Sequence, residues 1–151
     1  MQTVTESSLS VELVPLAKLI AKLAPPMMLE GTPSGTRMIV EVSDLRLEGE
    51  RIRARQKGVV SGDWVTISPD GKLATLDVRV TVETDDGALI FIHAQGRGDL
   101  SQGPGAAPIY SAPLFDTGDP RYAWLTKIQA ISKGKVPPDM SWIEYEVYEA
   151  R

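Results

Sequence analysis

The chain has no cysteine, which excludes disulfide staples, thiolate nucleophiles and every cysteine-based metal site. Its one histidine, His93, rules out a histidine-rich metal centre and leaves only oxygen ligands for a hard cation. An excess of positive charge is missing too. The 16 Lys and Arg against 20 Asp and Glu give a formal net charge of -4, without the basic stripe that nucleic-acid binders present. No apolar run approaches the roughly 18 residues of a membrane-spanning helix, and the stretch from Met1 to Glu6 lacks a basic segment ahead of an apolar core. No glycine pattern matches a phosphate loop or a dinucleotide fingerprint. The expectations are a cytoplasmic protein with no metal, no cofactor, no nucleic-acid partner and no membrane partner.

What is present is ordinary globular composition, 42% hydrophobic and 24% charged over 151 residues. That length suits a single domain over 1–151, with 1–7 expected to be a flexible N-terminus. Residues from Ser8 to Leu23 fit a helical face nearly as well as a strand, and Pro15 weakens both readings; the alternation Leu9, Val11, Leu13 and the Pro25-Pro26 that follows favour a long, bent strand. Gly31 to Gly35 reads as a loop, and Thr36 to Val42 as the next strand. Asp44 to Leu47 and Arg51 to Val60 follow around a turn at Glu48-Gly49-Glu50, with the basic row Arg51, Arg53, Arg55 and Lys57 read as an exposed strand face.

Turn chemistry is clearest further on. Pro69-Asp70-Gly71 and Asp85-Asp86-Gly87 sit between alternating segments, the strongest short-range signal for a hairpin. Gly98 to Pro108 is a Gly/Pro-rich loop of the sort that covers a binding mouth. Ile109 to Phe115 reads as a strand, Pro120 to Ala123 as a turn, Trp124 to Ser132 as a strand with some helical character, Lys133 to Met140 as a loop, and Ser141 to Glu149 as the last strand. Eight or more short strands with hardly any helix point to an all-β fold, either a closed antiparallel barrel or a sandwich.

The candidate site residues come from the middle of the chain. A strand sends alternate side chains to opposite faces, so Asp77, Arg79, Thr81 and Glu83 share one face and Val78, Val80 and Val82 the other. The polar face is either a solvated exterior or the lining of a cavity. If it points inward, Arg79 could clamp a carboxylate, Asp63 or Asp77 could act as general base, and Tyr110 could donate to a developing oxyanion. Trp64, His93 and Trp124 would then line the substrate.

Each residue also has a plainer reading. Asp77 and Arg79 can satisfy one another, and Asp63 can bond its own backbone in a turn. Trp64 and Trp124 can be packing residues, and His93 a packed or exposed one. Tyr145 and Tyr148 face opposite sides of the last strand, so at most one can enter a cavity. Asp116, Thr117 and Asp119 are dense in oxygen, as loops often are.

Several motifs in order carry a family resemblance: Gly62-Asp63-Trp64, Asp70-Gly71, Leu76-Asp77-Val78-Arg79, Thr84-Asp85-Asp86-Gly87-Ala88-Leu89-Ile90, and Phe115-Asp116-Thr117-Gly118-Asp119-Pro120-Arg121-Tyr122 with Trp124-Leu125. From about Leu9 to Glu149 the chain resembles the bacterial and fungal family labelled domain of unknown function three-two-three-seven. It departs from that family's pattern at Thr126, where asparagine is common, and near Tyr110-Ser111-Ala112, where an arginine often stands. The resemblance implies a closed, lipocalin-like barrel of about eight strands, shared with allene oxide cyclases, and a homo-oligomer. A barrel of that size can hold one small ligand. The functional expectation is a lyase or isomerase without a cofactor, possible versions being decarboxylation and isomerisation. Its substrate would be a lipophilic or phenolic small molecule carrying a carboxylate or carbonyl. The alternative is a carrier or sensor of apolar molecules that binds without reacting.

Overall fold

The computed structural model describes residues 9–151, so the expectation for 1–7 lies outside the described residues. Ten strands run in chain order: β1 (Leu13–Leu23), β2 (Met27–Thr32), β3 (Gly35–Glu48), β4 (Arg53–Gln56), β5 (Gly62–Ile67), β6 (Leu73–Thr84), β7 (Leu89–Asp99), β8 (Ile109–Asp116), β9 (Ala130–Lys135) and β10 (Trp142–Ala150). One 3-10 helix, Pro120–Lys127, joins β8 to β9. The sheet closes because β1 pairs antiparallel with both β10 and β3.

Ten strands make eight staves, since two staves are each broken in two. β1 and β2 lie along one edge of β3, divided at Pro25-Pro26, which lack the N–H groups a ladder needs. β4 and β5 share the gap between β3 and β6, divided where Gly58 takes a left-handed φ of 73° that glycine adopts without strain. The fold is a closed antiparallel β-barrel of eight staves, as the resemblance implied.

The hairpins expected at Asp70-Gly71 and Asp86-Gly87 are present, joining β5 to β6 and β6 to β7. Of the segment expected as strand up to Leu23, the described residues form strand from Leu13, and an irregularity in the β1–β10 register follows Pro15. Four expectations are corrected. Gly31 and Thr32, expected in a loop, end the strand Met27–Thr32, whose Met27, Met28 and Leu29 pair with β3. Arg51–Val60 contributes only Arg53–Gln56. Trp124–Lys127 belongs to the helix, started by Pro120 and by Asp119 accepting from the Arg121 N–H; proline at the first turn and an aspartate cap are strong helix signals. β9 continues to Lys135 into the segment expected as a loop. Among the described residues no helix is long and apolar enough to cross a membrane.

The barrel interior divides along its axis. Towards the end carrying the helix, Leu47, Ile52, Val82, Ile90, Phe115 and Leu125 fill the lumen, and Leu125 is fully buried. Burying side chains of this size stabilises by about 1.5–3 kcal/mol each. Towards the other end the inward positions become small: Ala74, Ala94, Gly98, Ser111 and Ser132. Small side chains leave the lumen open, and a cavity results.

Candidate functional site

The cavity holds about 360 Å³, within the size range of small-molecule sites. Leu19, Met38, Val40, Val65, Leu76, Val78, Ile92 and Ile143 are among the apolar residues of its wall. Leu100, Pro104, Gly105 and Met140 line it from the loops between β7 and β8 and between β9 and β10. These loops meet: a Cβ on Gly105 would lie 2.9 Å from the Val136 carbonyl oxygen. The Gly98–Pro108 loop thus contributes to the mouth, where the sequence placed it.

Asp63 enters the cavity from β5. It pairs with Val40 on β3 and Val78 on β6, both inward residues, and directly opposed residues of a sheet share a face. Its Oδ1 accepts from the backbone N–H of Asp77 at 3.0 Å. The β5–β6 ladder pairs Gly62 and Asp63, then resumes at Thr66, so the carboxylate receives an N–H in the stretch where strand pairing lapses. Burial pushes the Asp63 carboxyl up to about 6; the Asp77 N–H opposes the rise and the Asp77 charge adds to it. An apolar surrounding disfavours the charged form.

Tyr145 faces Asp63 across the lumen from β10. Its strand partner is Gly134, and a Cβ there would lie 2.4 Å from a Tyr145 ring carbon, so the ring needs this glycine to lie where it does. The Tyr145 hydroxyl is buried and makes no well-formed hydrogen bond among the described residues, the Ser111 side chain being its polar neighbour. Burial raises its pKa, the Asp63 charge raises it further, and the nearby Ser111 side chain opposes weakly. The phenol therefore stays protonated while Asp63 titrates near neutrality. Ser111 and Ser132 share a short hydrogen bond between their hydroxyls, adjacent to the phenol on β8 and β9.

The ionic row lies on the other side of the wall. Asp77, Arg79 and His93 face outward, because the alternating Leu76, Val78 and Val80 take the interior; burying one face of a strand fixes where the other points. Asp77 Oδ1 lies 2.9 Å from His93 Nε2 and Oδ2 lies 3.3 Å from Arg79. Partial burial works to raise the Asp77 carboxyl, but His93 and Arg79 outweigh it and hold it below its usual value. Arg79, 56% exposed in its side chain, sits over the outward Trp64 ring at 5.9 Å. Tyr110 is 49% exposed beneath Lys133 at 5.8 Å. Trp124 packs at the closed end under Arg51. The expectation that Asp77, Arg79, Tyr110, Trp64, His93 and Trp124 share a cavity with Asp63 is therefore corrected: of that set, only Asp63 lines it.

Sequence reasoning passed over Ser111 and Ser132 and gave Tyr145 no role. The available signals were Tyr145 in the apolar register Ile143, Tyr145, Val147, and Ser132 between Ala130 and Gly134 at the same spacing.

A family model described as "Protein of unknown function (DUF3237)" matches residues 11–150. The chain belongs to this family. Among solved structures, a beta-barrel like protein from Acinetobacter baumannii AYE is 28% identical, with a TM-score of 0.81 over 97% of this chain and 100% of that one. A protein with unknown function from Clostridium acetobutylicum ATCC 824 is 18% identical, with a TM-score of 0.84 over 94% of this chain and 100% of that one. A protein from Penicillium herquei, described as an enzyme, is 19% identical, with a TM-score of 0.72 over 98% of this chain and 100% of that one. No curated protein matches the chain. The common ground between this DUF3237 member and the latter two structures is the fold.

Proposed function

We propose that this DUF3237 protein is an enzyme, a lyase or isomerase that moves a proton on a lipophilic small molecule inside the barrel without a cofactor. One observation carries the reading: a carboxyl group with a pKa of about 6 in a cavity walled mostly by apolar side chains and holding no basic residue. A carboxyl poised near the working pH suits general acid–base catalysis, since it takes and returns a proton with little penalty. Asp63 as carboxylate removes a proton from an acidic C–H or O–H of the substrate. The electron pair moves onto a carbonyl or phenolic oxygen, which accepts a hydrogen bond from the Tyr145 hydroxyl. Protonated Asp63 then returns the proton at a different atom, and isomerisation is complete with no atom gained or lost.

This division of labour differs from the one based on the ionic row. Arg79 and Tyr110 lie outside the lumen, so a carboxylate clamp has no cation within the cavity and decarboxylation by that route loses its support. The Penicillium herquei protein, described as an enzyme, lends support at the level of the barrel. The second reading, a carrier of apolar molecules, is favoured by the oily wall alone; it gives the raised carboxyl no task. Incubating the protein with a panel of aromatic carbonyl and phenolic compounds, with mass spectrometry of both bound and transformed species, separates the two. Transformation by the wild type that disappears in Asp63→Asn supports the enzyme, and binding without any product supports the carrier.

A further inference from the structure

We infer that the cavity admits uncharged ligands and turns away anions, and that Asp63 sets this selection. The ligand class is a neutral, apolar molecule with a hydroxyl for Asp63 and an oxygen acceptor for Tyr145. The inference rests on the cavity being the ligand site, as proposed above, but not on the ligand reacting there.

The charges around the lumen carry the argument. The ionisable residues lining it are Asp63, Asp99 and Tyr145, with no lysine, arginine or histidine among them. The cations nearest in the strands point away: Arg79 on β6, and Lys133 and Lys135 alternating with the inward Ser132 and Gly134 on β9. An anionic ligand would shed its water in a low-dielectric space, meet no counter-charge, and stand beside the Asp63 carboxylate; Asp99, exposed at the rim after the inward Gly98, holds its own charge on the Ser101 N–H. Burying an unpaired charge costs several kcal/mol, and like charges at short range add to it. Such exclusion is specificity by rejection.

The polar groups that remain are matched to a neutral partner. Asp63 Oδ1 is engaged by the Asp77 N–H, which leaves the carboxylate further acceptor capacity for a hydroxyl donor. The Tyr145 hydroxyl is buried without a well-formed hydrogen bond among the described residues and gains one from a ligand oxygen. Ser111 and Ser132 bond each other and bring no charge. A hydrogen bond completed by the ligand removes the penalty of a buried polar group left unpaired.

The test compares naphthol and naphthoate, nearly equal in size, the first neutral and the second anionic at neutral pH. Calorimetric titration of the wild type is expected to give naphthoate a Kd at least about tenfold weaker than naphthol, where each tenfold is about 1.4 kcal/mol. Asp63→Asn removes the inner charge while its amide oxygen can still accept the Asp77 N–H, and it should shrink the gap to about threefold or less. Asp63→Ser, which removes the charge with a smaller side chain, should do the same, and Asp99→Asn, at an exposed rim position, should leave the gap unchanged. Equal or tighter binding of naphthoate by the wild type would overturn the inference. So would a gap that persists in both Asp63 variants, or a failure of the wild type to bind either probe. Titration reads binding alone, so a catalytically silent protein that keeps the selectivity would sink the enzymatic reading and leave this one standing.

Discussion

Two aspartates separated by one layer of sheet meet opposite fates. Asp63 projects into the lumen and is pushed up to about 6, whereas Asp77 projects outward and is held below its usual value by His93 and Arg79. A single hydrogen bond, from the Asp77 N–H to Asp63 Oδ1, joins them. Neither residue type nor neighbourhood in the sequence separates the two; the face of the wall does. A carboxylate among cations in water is held charged as an ion pair, and the same group among aliphatic side chains has its pKa raised towards neutrality.

The strongest way to break this comparison is on the inner face. Asp63→Asn should lower kcat at least about a hundredfold, the low end of what a positioned general base supplies, in a protein whose circular dichroism is unchanged. Tyr145→Phe removes the buried donor and should lower kcat by about ten- to a hundredfold, since one hydrogen bond to a developing charge is being lost.

Stability against pH sharpens the contrast next. Because the folded pKa of Asp63 lies above its ordinary 3.8, its neutral form favours the fold. That contribution is complete below about pH 4 and is lost as pH rises through about 6, by about 3 kcal/mol in all. Asp63→Asn should abolish this loss, so denaturant titrations from pH 4 to 8 should show the variant gaining on the wild type as pH rises. Asp77 acts with the opposite sign: its depressed pKa gives a contribution present at neutral pH and lost on acidification. The smallest effect belongs to the outer face. Arg79→Ala and His93→Ala should leave kcat within about twofold and stability within about 1 kcal/mol, the range of exposed ion pairs; a hundredfold loss of turnover in Arg79→Ala would return the reaction to the ionic row.

The barrel was legible because its signals are local. Asp70-Gly71 and Asp86-Gly87 define hairpins wherever they stand, and the Val78, Val80, Val82 alternation marks a strand at any position. Which face is inside is not local. Leu76 through Glu83 offers four apolar and four polar side chains in alternation, and only closure of the sheet, with Val40, Ile92 and Val147 converging on the same lumen, decides between them. Asp63 was identified beside Trp64, but its company was misassigned for this reason. Tyr145 lay in plain view in an apolar register. What singles it out is Gly134 across the ladder, a relation set by β9–β10 pairing that no spacing within β10 reveals. Trp124 was misplaced because the aspartate–proline start at Asp119-Pro120 outranks the β-propensity of the residues after it.

The plug formed by Leu125, Ile52 and Ile90 makes the barrel a blind vessel. In the reaction proposed above, reactant, product and displaced solvent would share one doorway, so each cycle would have to empty the chamber before the next occupant arrives. Traffic past Gly105 and Met140, which line the cavity from its loops, would then bound the rate together with events at the carboxyl.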